Sequence, residues 1–145
     1  MRFTGTIEPF ADVAVSVYVK RLNAIPVHDW TKMADASWQG WGDWFTPLSS
    51  LLVANHYPGC FVSGLGMFVL EPGQVHPAHK DIQPSYWLTR IHVPIITNPK
   101  ATIIMDDGVH HLKVGKAYRF NTLAMHEVRN DGATHRAHFI FDVRT

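Results

Sequence analysis

The stretch Pro72-Gly73-Gln74-Val75-His76-Pro77-Ala78-His79-Lys80-Asp81, followed by Arg90-Ile91-His92, decides how this chain is read. A Pro-Gly turn signal opens an extended segment in which His79 and Asp81 lie two residues apart. In a strand, residues i and i+2 point to the same face. One short segment therefore offers an imidazole and a carboxylate to a single ion. One more imidazole would complete a set of two His and one carboxylate on one side of a metal, and His126 is the candidate.

Outward from this stretch, short apolar segments alternate with turn signals. Strands are expected over 61–71, 86–96, 101–105, 109–114, 117–121, 124–129 and 134–143. The breaks between them are Pro72-Gly73, Asn98-Pro99, Asp106-Asp107-Gly108, Gly115-Lys116 and Asn130-Asp131-Gly132. Many short strands at this spacing predict a mainly β fold, an antiparallel sandwich or barrel. Asn130-Asp131-Gly132 fits a three-residue hairpin loop with Gly in the left-handed position. That register pairs 126 with 136 and sets His126 opposite Arg136 on one face. A two-residue Asp-Gly loop would throw Arg136 to the other face. Arg136, His138 and Ile140 share one face of the last strand, and Phe139, Phe141 and Val143 share the other. Arg90, His92, Pro94 and Ile96 likewise line one face of theirs, with Ile91, Val93 and Ile95 behind.

The N-terminal part reads differently. Ala11, Val13, Val15, Val17 and Val19 are apolar at every second position, which predicts a strand. Thr46-Pro47 resembles an N-cap followed by Pro at the first helical position. Leu48, Leu51 and Leu52 then suit one face of a short helix ending near Asn55, closed by Pro58-Gly59. Trp30, Trp38, Trp41 and Trp44 fall between residues 28 and 45. They read first as aromatic packing over one end of the core and second as walls of a substrate pocket.

Bulk properties exclude several classes. The 145 residues fit a single domain over 1–145, with 1–59 as an N-terminal shell and 60–145 as the β core. Hydrophobic residues make up 46% and charged residues 17%, so the chain is globular and not disordered. A net charge of +1 gives no nucleic-acid or membrane-surface footprint. No signal peptide or spanning helix is expected. Cys60, the one cysteine, cannot form an internal disulfide, which suits a reducing compartment, the cytoplasm. Oligomeric state is not legible.

Two His and one carboxylate with open positions opposite are the facial arrangement of non-haem Fe(II) oxygenases. Two Arg residues on apolar strands need anionic partners. Near a dication and His92, they point to a dicarboxylate with one end at the metal and the other forked by Arg. His76, His110 and His111 read as surface or structural residues, and Glu127 as solvent-facing. His138 reads equally as packing or as a contact close to the site. His28, His56 and His135 have no special claim.

Pro72-Gly73, His79, Arg90-Ile91-His92, His126-Glu127-Val128, Arg136 and Phe139-Ile140-Phe141-Asp142-Val143 together resemble the aspartyl/asparaginyl β-hydroxylase family. The resemblance covers about residues 60–143. It implies a double-stranded β-helix of the cupin type, with one or two short helices in the N-terminal part. It also implies a dioxygenase dependent on Fe(II) and 2-oxoglutarate. Such an enzyme uses O2 to hydroxylate an amino acid or an Asp, Asn or Pro side chain, releasing succinate and CO2. By resemblance, His79 and His126 match the iron-binding His. Arg136, ten residues after the second of them, matches the Arg that pairs with the far carboxylate of 2-oxoglutarate. Arg90 and His92 match residues near its metal-proximal end. The chain departs from the animal enzymes in carrying Asp81 where they have Gly, which makes it similar to free-proline hydroxylases with a His-x-Asp…His triad. It also has Phe68 where a cosubstrate-binding Ser is expected, and it lacks the large helical surround. The other readings are a cupin-like metal or small-anion binding module without catalysis, and a structural jelly roll with incidental His residues.

Overall fold

The structure is a computed structural model that describes residues 1–33 and 40–145; for residues 31–33 and 40–42 it describes the backbone alone. In chain order the elements are β1 (Ile7–Asp12), α1 (Ser16–Asn23), α2 (Val27–Met33), α3 (Gly40–His56), β2 (Phe61–Leu70), β3 (Val75–His79), β4 (Trp87–Ile96), β5 (Ala101–Met105), β6 (Gly108–His110), β7 (Lys116–Phe120), β8 (His126–Asn130) and β9 (Arg136–Arg144). They form a five-stranded sheet, β1-β7-β4-β9-β2, facing a four-stranded sheet, β3-β8-β5-β6. Every pairing is antiparallel. From β2 to β5 and again from β7 to β9, consecutive strands alternate between the sheets. That is the winding of a double-stranded β-helix.

Period-two alternation builds two cores from one sheet. Ile91, Val93 and Ile95 of β4 and Phe139, Phe141 and Val143 of β9 face the helices, where Phe45 stacks on Phe139 at 4.0 Å. Between the sheets lies a smaller cluster of Ile103, Met105, Leu112, Tyr118 and Phe120. Its neighbours on the same inner face are Arg90, His92 and Arg136, so the polar groups and the inter-sheet core share one space. Pro94 sits in this strand without breaking a ladder, because the β4–β7 pairing ends at His92–Tyr118.

Three sequence expectations change. The alternating run 11–19 is not one strand. It ends β1 and then enters α1, because Val15, Tyr18, Val19 and Leu22 recur at helical spacing and are buried or half-buried, while Val17 is 58% exposed. Thr46-Pro47 does not start a helix. Pro47 lies inside α3, whose buried face is Phe45, Ser49, Leu52 and Val53, with Leu51 turned to solvent. The helix does stop at His56, ahead of Pro58 and of Gly59 with φ +81°. Among the described residues the helical part is thus three helices, one of 17 residues, where one or two short ones were expected.

The third change bears on the site. β8 and β9 do not form a hairpin. β8 pairs with β3 and β5, and β9 with β4 and β2. Gly132 is not left-handed. Instead the Asn130 side chain organises the crossing. It donates to the carbonyls of Leu70 and Thr134 and accepts from Gly132 N and Asn98 Nδ2. Gly132 is small because a Cβ there would overlap the Asn98 amide. No helix among the described residues is long and apolar enough to cross a membrane.

Candidate metal centre

β3 and β8 bring the two imidazoles together. His79 and His126 are direct cross-strand partners, with ring centroids 4.3 Å apart. Asp81 lies just past the end of β3, where its N–H donates to the Thr122 carbonyl at 2.9 Å. One ligand atom from each of His79, Asp81 and His126 lies within 4.8 Å of the others. Asp81 Oδ1 is 3.3 Å from His79 Nε2 and 3.9 Å from His126 Nε2.

The tautomers follow from the partners. His79 Nδ1 is 2.7 Å from the Pro77 carbonyl, and His126 Nδ1 is 2.8 Å from that of Ala124. A carbonyl only accepts, so each Nδ1 carries a proton, and Nε2 is the ring atom left on the Asp81 side to ligate an ion. This is the backbone-oriented imidazole that metal sites use. Burial also pulls the His126 pKa below its ordinary value. Two imidazole Nε2 atoms and one carboxylate oxygen form a donor set suited to a divalent transition metal.

The sequence-predicted partners divide. Arg90 Nε and Nη2 fork Asp142 at 2.8 and 3.1 Å, and Nη1 donates to Asp81 Oδ2 at 3.2 Å. Arg90 is thus already paired with two carboxylates of the chain itself. Asp142 was not among the expected site residues. Its signal was available, because the alternation that aligns Arg136, His138 and Ile140 continues to 142. Arg90 and Asp142 are in register across β4 and β9.

Arg136 differs. It is 3% exposed, its Nε has no partner, and among the described residues no carboxylate pairs with it. Burial alone pushes its pKa down to about 9, which leaves it cationic at neutral pH. Arg136, His92, Arg90 and the three clustered residues line one cavity of about 250 Å³, with Phe68 and Ile140 among its apolar walls. His92 Nδ1 is 3.1 Å from His138 Nδ1, and His138 Nε2 is buried without a partner. Burial, and then the charge of Arg136, holds both imidazoles well below their ordinary pKa. His126 and Arg136 therefore do not share the face of a hairpin, as expected from the sequence; they line one cavity from two facing sheets.

Remaining candidates fall into place around this. His76 is exposed and lies against the Gln74 amide, but lines the cavity. His110 pairs with Asp107, and His111 reaches the Ala101 carbonyl. Glu127 is directed to Arg129. Trp30 is buried and donates to the carbonyls of Leu22 and Ile25, and Trp44 packs against the helix-side core. Neither lines the cavity. Trp38 and the side chain of Trp41 lie outside the described residues.

No curated protein matches the sequence. Among solved structures, the chain is similar to the non-heme monooxygenase ThoJ in a nickel complex, with a TM-score of 0.55 and 16% identity. That match covers 90% of this chain and 65% of ThoJ, so the chain spans about two thirds of that protein. A prolyl-4-hydroxylase from Pseudomonas putida matches with a TM-score of 0.52 and 13% identity, over 89% of this chain and 83% of the other. At these identities the likeness is one of fold. The sequence profile of the aspartyl/asparaginyl beta-hydroxylase family matches residues 47–145, well over half of the chain, and the protein belongs to that family.

Proposed function

We propose that this member of a hydroxylase family is an Fe(II)- and 2-oxoglutarate-dependent dioxygenase. The observation that carries the reading is Arg136, a buried guanidinium with no carboxylate partner among the described residues, lining the cavity that the His79–Asp81–His126 cluster heads. A buried cation without a partner is costly. A dicarboxylate cosubstrate would supply the missing charge, and the planar fork of Arg suits its far carboxylate.

In this reading His79, Asp81 and His126 hold the ion through Nε2, Oδ1 and Nε2. Bound there, Fe(II) would supply O2 activation for attack on an unactivated C–H bond, with 2-oxoglutarate as the two-electron reductant. The balance is R–H, 2-oxoglutarate and O2 to R–OH, succinate and CO2. The chain's own residues bind and orient. His92 and His138, held neutral, add no further positive charge beside Arg136. The apolar walls, Phe68 included, limit water, but Phe68 offers no hydroxyl to the cosubstrate. The substrate would be a small molecule or peptide, an amino acid or an Asp, Asn or Pro side chain.

The test is succinate release from 2-oxoglutarate with Fe(II) and ascorbate, followed by a screen of amino acids and peptides for stimulation. Wild type should turn over slowly without substrate, and His79→Ala should not turn over at all. Full turnover by His79→Ala would be fatal to the assignment. Metal binding without any 2-oxoglutarate turnover would favour the non-catalytic binding module.

A further inference from the structure

We propose that Arg90 is a positioning residue for Asp81, held in place by Asp142, and not a contact for the cosubstrate. This rests on the metal-centre reading above. Asp81 lies beyond the end of β3, so the sheet ladder does not fix its side chain, and one backbone bond to Thr122 ties down its main chain. The guanidinium supplies the missing restraint. Nη1 takes Asp81 Oδ2 at 3.2 Å, which leaves Oδ1 as the oxygen nearest both imidazole Nε2 atoms. The carboxylate is thereby divided, one oxygen for the guanidinium and one for the ion.

Asp142 makes that division hold. It takes the bidentate edge of Arg90, so Asp81 receives a single N–H and not a full fork. Arg90 paired with Asp81 alone would neutralise the ligand's charge one to one. With Asp142 present, the three groups together keep one net negative charge, available to a cation. The clamp is built on paired elements, since Arg90 and Asp142 face each other in register across β4 and β9. Space for it is reserved on β2. Gly64, at φ +60° in a bulge, would bring a Cβ to 3.1 Å from Asp142 Oδ2. Arg136, by contrast, has no carboxylate partner among the described residues.

The test uses Ni(II), which is redox-inert, titrated calorimetrically into the full chain, and then 2-oxoglutarate titrated into metal-saturated protein. Arg90→Gln should weaken Ni(II) binding about 10- to 100-fold, as loss of an outer-sphere orienting group does. Its 2-oxoglutarate affinity at saturating metal should stay within about twofold of wild type. Asp142→Asn, which keeps the shape of the side chain, should weaken Ni(II) in the same direction, and Arg90→Lys should recover part of the loss. Melting curves of the metal-free variants separate misfolding from loss of the clamp. If Arg90→Gln does not fold, Asp142→Asn carries the test. Unchanged Ni(II) affinity in Asp142→Asn would overturn the proposal. So would a tenfold or greater loss of 2-oxoglutarate affinity in Arg90→Gln with Ni(II) binding intact. A wild type that binds no Ni(II), or a His79→Ala variant that binds it as tightly, would instead sink the metal-centre reading and the clamp with it.

Discussion

Arg136 and Arg90 are the same residue type on neighbouring strands, yet they differ in what surrounds the guanidinium. Arg90 is paired twice, and Arg136 is buried with no carboxylate partner among the described residues. An uncompensated buried charge costs stability, and removing it relieves that cost. Arg136→Gln should therefore raise the melting temperature of the metal-free protein by about 3 °C or more, on the usual scale for a domain of this size. The same variant should weaken 2-oxoglutarate binding to the metal-loaded protein by at least about 30-fold, the low end for losing a buried charge pair. Differential scanning fluorimetry and calorimetry check the two halves. His92 and His138 give a pH signature of their own. Their folded pKa values are depressed, so below about pH 6.5 the unfolded chain takes up protons that the folded chain refuses. Stability is full above that pH and falls as pH drops, by about 1 kcal/mol per unit for each imidazole. Urea midpoints between pH 7.5 and 5 should fall accordingly, and a His138→Gln variant should show a shallower slope.

Among the elements, the crossing from β8 to β9 is the one on which the site depends. A hairpin there would have left His126 and Arg136 side by side on one sheet. The observed crossing puts them on facing sheets, with the cavity between. Asn130, fully buried, links the end of β2, the crossing loop and Asn98 through four hydrogen bonds. Asn130→Ala would orphan the buried carbonyl of Leu70 and leave Asn98 short of a partner, at a cost of about 2–3 kcal/mol. Urea denaturation of the metal-free protein measures it, and a loss below about 0.5 kcal/mol would show that water replaces the amide. The segment 11–23 has a different lesson. Five alternating apolar residues satisfied the strand template, but Val15, Tyr18, Val19 and Leu22 satisfied the helical one as well. The helix is the form that buries them against the five-stranded sheet.

Across the whole molecule, two sheets hold three side chains that could ligate a metal and a buried guanidinium with no carboxylate partner among the described residues. A ligand that binds only the folded state stabilises it by about 2.7 kcal/mol at a hundred times its Kd. Ni(II) with 2-oxoglutarate should therefore raise the melting temperature by about 5–10 °C for a chain of this length. Succinamide, which lacks both carboxylates, should add nothing beyond the metal's own shift.

The sequence by itself determined what depends on neighbours along the chain. Most strand positions after residue 60, the two faces of β4 and β9 and the placing of His79 and Asp81 in one segment were legible, because the two-residue alternation of a strand is a local property of the backbone. Tertiary structure alone decided which strands face each other and which acid meets which base. Asp142 lies 52 residues from Arg90, and their ion pair exists only because β4 and β9 adjoin. Pairing between distant strands is set by packing over the whole core, and no local pattern encodes that.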